Sequence, residues 1–172
     1  GELYRANCHV ENFDTAAVKA ETEDGIPIYY DTTHNMKEKS IGPFAEYQFE
    51  KGVIYYGKDF GNGVVDEYTA VMNDGTMISY GDVLKGEQLQ KLYDAIACTV
   101  NGKIPVCTVQ CAIPHLRAVL ELAKLSIHSI REEKLEYFVE EEDRFCQIRN
   151  LEEVYSKCYQ NNQMPSEVGA GW

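Results

Sequence analysis

AEYQFEKGVIYYG, residues 45–57, is the stretch whose reading decides the fold. Ala45, Tyr47 and Phe49 alternate with Glu46, Gln48 and Glu50, the chain turns at Lys51–Gly52, and Val53, Ile54, Tyr55 and Tyr56 run back. Successive side chains of a strand point to opposite faces, so a period of two marks a strand with one face covered. Two such runs joined by a short turn containing glycine form a hairpin. The pattern recurs on both sides. Upstream, AAVKAETEDGIPIYY (residues 16–30) turns at Glu23–Asp24–Gly25. There Val18, Ala20 and Thr22 share one face and Lys19, Glu21 and Glu23 the other; on the return strand Ile26, Ile28 and Tyr30 oppose Tyr29 and Asp31. Downstream, YTAVMNDGTMISYG (residues 68–81) turns at Asn73–Asp74–Gly75, the strongest of the three turn signals. A leading strand over residues 3–8 brings the count to about seven. The copies differ in length and stop after Gly81, which predicts a meander rather than a solenoid.

From Glu87 the period lengthens. Leu89, Leu92, Tyr93, Ile96, Ala97 and Val100 fall on one helical face, and Asn101–Gly102 stops the helix. Pro105 breaks the chain and Thr108 is placed to cap a second helix. Its stripe is Ala112, Leu116, Leu120, Ala123 and Ile127, with Pro114 predicting a kink or a late start. Asn150 and Glu153 have capping-box spacing for a third helix, with Leu151, Val154, Tyr155 and Cys158 as its buried face. MPSEVGAGW has no periodicity, so residues 163–172 read as an irregular tail. The expectation is an α+β domain spanning residues 1–172: an open, mainly antiparallel meander sheet with helices packed on one face.

At 172 residues, 44% hydrophobic and 26% charged, the chain can bury one core. A net charge of −12 argues against nucleic acid, whose binding rests on Lys and Arg neutralising phosphates. No apolar run reaches the roughly 20 residues of a membrane helix, and no signal-peptide pattern opens the chain. Six cysteines without a C-x-x-C pair fit reduced, packed thiols, so a cytoplasmic setting is expected. GELYRAN enters strand alternation at once, as an internal segment of a longer parent chain would, and Gly1 is either native or a remnant.

Self-sufficient catalytic motifs are missing. GKDFGNG (residues 57–63) lacks the strand–helix context of a phosphate loop. Cys107, Cys111 and His115 are spaced by four, as zinc ligands on one helix can be, but Pro114 interrupts them and Cys107 precedes the expected cap, so packing and capping are the favoured reading. Glu140, Glu141, Glu142 and Asp143 read as a solvated turn or helix start, with a metal site as the alternative; no metal is assigned. His34 ends a strand, where it is exposed or positioned to bond a substrate. Tyr29, Tyr30, Tyr55, Tyr56 and Tyr80 lie on return strands, as sheet packing favours. If helices cover one face, the other carries tyrosines toward a partner or a sugar, because large bare aromatic patches are rare on monomers.

Several stretches resemble the C-terminal domain of the glucose–fructose oxidoreductase and inositol dehydrogenase family. ENFDTAAV (residues 11–18) resembles its acid–Asp–small–Ala strand entry, and Glu50–Lys51–Gly52 its F-E-N-G hairpin. LQKLYDAIACTVNGKIPVCTVQCAIPHLRAVLELAKLS (residues 89–126) is similar to its closing helices around an N-G-x-x-P-x-x-T connector. The resemblance implies an open sheet that oligomerises through its bare face. It also implies a parent enzyme moving hydride between NAD or NADP and a sugar, polyol or related compound. The family's nucleotide-binding domain, its E-K-P lysine and its D-x-x-x-H stretch have no counterpart, Gln110 stands where many relatives carry Glu, and Pro114 is unusual. The chain alone is therefore expected to hold no cofactor and not to catalyse hydride transfer. Arg5, Asn7, Asp14 and His34, polar groups at the ends of early strands, are the candidate substrate contacts, with Arg5 suited to a carboxylate. The expected partners are a second copy, the absent nucleotide-binding domain and a small sugar-like substrate, without nucleic acid or membrane. The rival expectation is a non-enzymatic hairpin-sheet module that dimerises or binds carbohydrate on its tyrosine face.

Overall fold

The structure, a computed structural model, describes residues 1–6, 10–36, 42–82, 89–140 and 142–172. Its strands are β1 (Glu2–Arg5), β2 (Thr15–Glu21), β3 (Pro27–Thr33), β4 (Ala45–Phe49), β5 (Gly52–Tyr56), β6 (Thr69–Met72), β7 (Met77–Ser79), β8 (Ile127–Ser129), β9 (Leu135–Glu140) and β10 (Asp143–Ile148). Its helices are α1 (Gln90–Val100), α2 (Val109–Leu122) and α3 (Leu151–Asn161). The class is α+β with mainly antiparallel sheets, as the periodicity predicts.

The early hairpins and their three turns fall where the alternation puts them; the leading strand ends at Arg5, and residues 7 and 8 of its expected span lie outside the described residues. The strands do not form one sheet. Hydrogen bonding sorts the strands into a four-stranded sheet β3-β2-β1-β8, a four-stranded meander β4-β5-β6-β7 and a hairpin β9–β10. The alternation fixes each hairpin but carries no information about which hairpins adjoin. Three late strands escaped the sequence reading. Ile127 fits the second helical stripe, but α2 ends at Leu122 and Ile127 pairs in parallel with Leu3. Of the acidic run, Glu140 ends β9 and pairs with Asp143, which opens β10, while Glu141 lies outside the described residues.

The contacts define two compact units, residues 1–39 with 112–172, and residues 40–111. In the first, β2 is buried on both faces at its start: Thr15 and Ala17 are 0% exposed and Ala16 2%. Its far half is exposed, so burial here follows position along the strand more than the alternation of Val18 and Ala20. Tyr4, Ala6, Ile130, Leu135, Ile148 and Leu151 form the core, with Tyr155 and Trp172 packed against it. α3 lies against β3. Asn150 precedes α3 in a left-handed conformation (φ 57°) without a side-chain cap bond, and Glu153 pairs with Lys157 at 2.7 Å instead of forming the expected capping box. The tail is not loose: Pro165 is fully buried, Met164 is buried, and the Trp172 ring meets Tyr4 edge-on at 5.1 Å.

The three turn glycines part company. Gly25 and Gly75 take positive φ (80° and 85°), which only glycine adopts cheaply. Gly52 does not. It opens β5, its neighbours in register are Phe49 and Met72, and a Cβ there would stand 2.4 Å from the Val71 carbonyl oxygen. Its glycine serves a close backbone approach. Tyr56 and Ala70 are buried, and Tyr68 stacks obliquely on Tyr56 at 4.8 Å. Neither α1 nor α2 buries any residue, although both are amphipathic; Leu92, Tyr93 and Ile96 of α1 are each about half exposed. Those stripes are the part of the packed-helix expectation that the chain does not fulfil within itself. α2 runs on through Pro114 without the late start expected there. No helix of the described residues is long and apolar enough to cross a membrane.

Candidate functional site

β1 and β8 run parallel with Arg5 opposite Ser129, the last residue of each strand. Parallel neighbours project to the same face, so the Arg5 guanidinium donates to Ser129 Oγ at 3.1 Å. Its other terminal nitrogen donates to the Glu11 carbonyl oxygen at 3.3 Å. The fork is thereby held at both ends while Arg5 stays partly exposed.

Asp14 ties three segments to the same end of the sheet. Its N–H donates to the Tyr4 carbonyl at 3.1 Å, and its own carbonyl accepts from the His34 N–H at 2.9 Å. Both carboxylate oxygens accept from the Ala6 N–H, at 3.1 and 3.0 Å. Asp14 is thus a positioning residue that fixes the chain just after Arg5. The His34 imidazole is exposed beside this junction. Three of the four candidate substrate contacts, Arg5, Asp14 and His34, therefore belong to one strand-end cluster; Asn7 lies outside the described residues. Below it is a buried polar network without a sequence signal. Thr15 and Thr33 hydroxyls bond at 2.8 Å, the Asn35 amide donates to Thr15 at 2.9 Å, and the Asn35 N–H donates to Thr33 at 3.0 Å. It stiffens the exit of β3 into His34.

A second cluster gathers titratable groups between β1, β3, α3 and the tail. Glu2 accepts hydrogen bonds from the Tyr4 hydroxyl, the Ser166 hydroxyl and, at 3.2 Å, the Ser166 N–H. Burial, then the charge of Glu2, raises the Asp31 carboxyl to about 6. The Tyr155 hydroxyl, directed at the carbonyls of Ala16 (3.1 Å) and Thr32 (3.3 Å), is held well above its ordinary value by burial and then by Asp31. The Cys158 thiol is pushed up to about 12 by burial and then by Asp31 and Glu2. The Tyr155 hydroxyl and the Cys158 thiol therefore keep their protons at neutral pH, and neither is an activated nucleophile. Asp31 had been visible only as one face of a strand, because burial and proximity to Glu2 are properties of the fold.

The other candidate residues separate. Cys107 and Cys111 are both exposed, and the Thr108 hydroxyl bonds the Cys111 sulfur at 3.5 Å, which lowers that thiol below its ordinary value. Among the described residues no group of three or more metal-ligating side chains is assembled. GKDFGNG is an Asp59-centred loop: the Asp59 Oδ1 accepts from the N–H groups of Gly61, Asn62 and Gly63 at 2.7, 3.1 and 2.9 Å. Lys58 sits 3.8 Å over the Tyr55 ring. Tyr30, Tyr47 and Tyr80 are exposed. A shallow depression of about 330 Å³ on the β9–β10 hairpin is crossed by Glu136, whose carboxylate is taken by Arg149 (2.6 Å) and Gln147 (2.8 Å). That leaves the Arg5 end of the first sheet as the place where polar groups converge with donors to spare. No family model, curated protein or solved structure matches this chain.

Proposed function

We propose that this chain is the substrate-binding and assembly domain of a nicotinamide-dependent oxidoreductase acting on a sugar, polyol or related compound, inactive without a dinucleotide-binding domain. The observation that carries the reading is the bare apolar stripe of α1, Leu92, Tyr93 and Ile96, on a helix that buries nothing. An exposed stripe of this kind belongs against another surface. The stretches at residues 11–18, 50–52 and 89–126 supply the reaction class by resemblance, and the Arg5–Asp14–His34 cluster supplies polar contacts at one sheet end. NAD or NADP would be held by the other domain, and the open sheet faces would serve a second copy.

The test is to read the coding sequence upstream of Gly1 and express the longer product. A glycine-rich strand–helix unit there, with NADH fluorescence enhanced by the longer product and not by the 172-residue chain, is the expected result. An initiation codon directly before Gly1 would sink the enzyme reading. The exposed Tyr30, Tyr47 and Tyr80 favour a second reading, a non-enzymatic module that dimerises or binds carbohydrate through its tyrosines. A sedimentation profile that stays monomeric at high concentration would reject assembly in both readings.

A further inference from the structure

We infer that Arg5 is an anion subsite and that the substrate carries a carboxylate beside its hydroxyls, a sugar acid rather than a neutral sugar. The inference rests on the substrate-domain reading above and narrows its substrate class. A guanidinium offers five N–H donors in a rigid fork that matches a carboxylate. Arg5 spends two of them, and both acceptors are neutral: the Glu11 carbonyl and the Ser129 hydroxyl. Among the described residues no carboxylate lies within ion-pair distance of it, whereas Arg131 and Arg149 take Glu133 and Glu136 at 3.1 and 2.6 Å.

That vacancy is notable in a chain with 28 acidic residues against 16 Lys and Arg. Two acidic residues that bond this end of the sheet are turned to other work. Glu11 presents its backbone carbonyl, and the Asp14 carboxylate is taken up with the Ala6 N–H. The two neutral contacts orient the guanidinium before any ligand arrives, which reduces the entropy lost on binding. The chain's overall negative charge repels anions at a distance, but beyond about 8 Å physiological salt screens it. A local fork is what an anion would need to bind here. Ser129, bonded to Arg5, can meet a hydroxyl of the same ligand, and the exposed His34 imidazole stands at the same end of the sheet.

The test is calorimetric titration of the 172-residue chain with D-gluconate and with D-glucitol, which has the same hydroxyl chain without the carboxylate. Gluconate is expected to bind about tenfold more tightly, the value of one charge-assisted bidentate contact at a partly exposed site. Arg5→Gln should erase that difference, and Arg5→Lys, which keeps the charge without the fork, should retain part of it. Fluorescence of Trp172 reports that each variant is folded. If glucitol binds and gluconate binds no better, or if the difference survives in Arg5→Gln, the anion subsite is wrong and the sugar-domain reading stands. If neither compound binds, the sugar-domain reading fails and takes the inference with it.

Discussion

Replacing Asp31 by Asn should stabilise the protein at neutral pH and do nothing of the kind in acid. The Asp31 carboxyl sits partly buried on β3 with Glu2 nearby, and its pKa rises from 3.8 to about 6. A folded pKa above the unfolded one means that ionisation is easier in the unfolded chain. Below the unfolded value both states are protonated and the group costs nothing. As pH rises from about 4 through about 6 stability is lost, and above that the penalty is constant. A shift of this size corresponds to at most about 3 kcal/mol. The carboxyl is partly open to water, so solvent screening reduces the figure to roughly 1 kcal/mol. Asp31→Asn should therefore gain roughly 1 kcal/mol near pH 7.5, about 2–4 °C in Tm for a chain of this length, and no gain near pH 4. Urea unfolding followed by Trp172, the single tryptophan, measures it, since that ring packs on Tyr4 of the same unit. In a Glu2→Gln background the gain should shrink, because Glu2 is the second cause of the shift. An effect of equal size at both pH values, or a loss at neutral pH alone, would refute the reasoning.

Gly52→Ala and Gly25→Ala separate two uses of glycine. The first pushes a Cβ to 2.4 Å from the Val71 carbonyl and should cost about 3 kcal/mol or more; the second meets open space at φ 80° and should cost only about 1 kcal/mol, both read by urea midpoints. Tyr155→Phe removes the hydroxyl donor shared by the Ala16 and Thr32 carbonyls and should cost about 1–2 kcal/mol, with an unchanged midpoint counting against that bond. Toward iodoacetamide at neutral pH, Cys111 should react well before the buried Cys158, and Thr108→Ala should slow Cys111; mass spectrometry of the labelled peptides decides the order.

The turns at Gly25 and Gly75 and the seven early strands were legible because hairpins are local: the alternation and the turn residue lie within a dozen positions. α1 was legible for the same reason, since its stripe and its Asn101–Gly102 stop are contiguous. What escaped was pairing between distant segments. Ile127 completes an apolar helical period as readily as it fills a strand, and only its register with Leu3 decides the matter. Leu135, Tyr137 and Val139 alternate too, but the acidic run beside them resembles a helix start as much as a hairpin tip. At the candidate site, Arg5, Asp14 and His34 were reachable as polar residues at strand ends. Ser129 was not, because nothing near it in sequence points to Arg5. Asn35 and Thr15 are ordinary polar residues until burial makes their hydrogen bonds necessary.

The parallel pair of β1 and β8 has a consequence for the order in which the chain folds. Leu3 and Ile127 are neighbours in space, yet all of the β4–β7 meander is synthesised between them. Contacts that close a long loop form late, while local hairpins form within microseconds. A nascent chain can complete β1–β3 and β4–β7 first, leaving the outer edge of β1 unpaired with Leu3 awaiting β8. During that interval the early strands present an unpaired edge to other nascent copies, so this is the stage at which a chaperone would matter most.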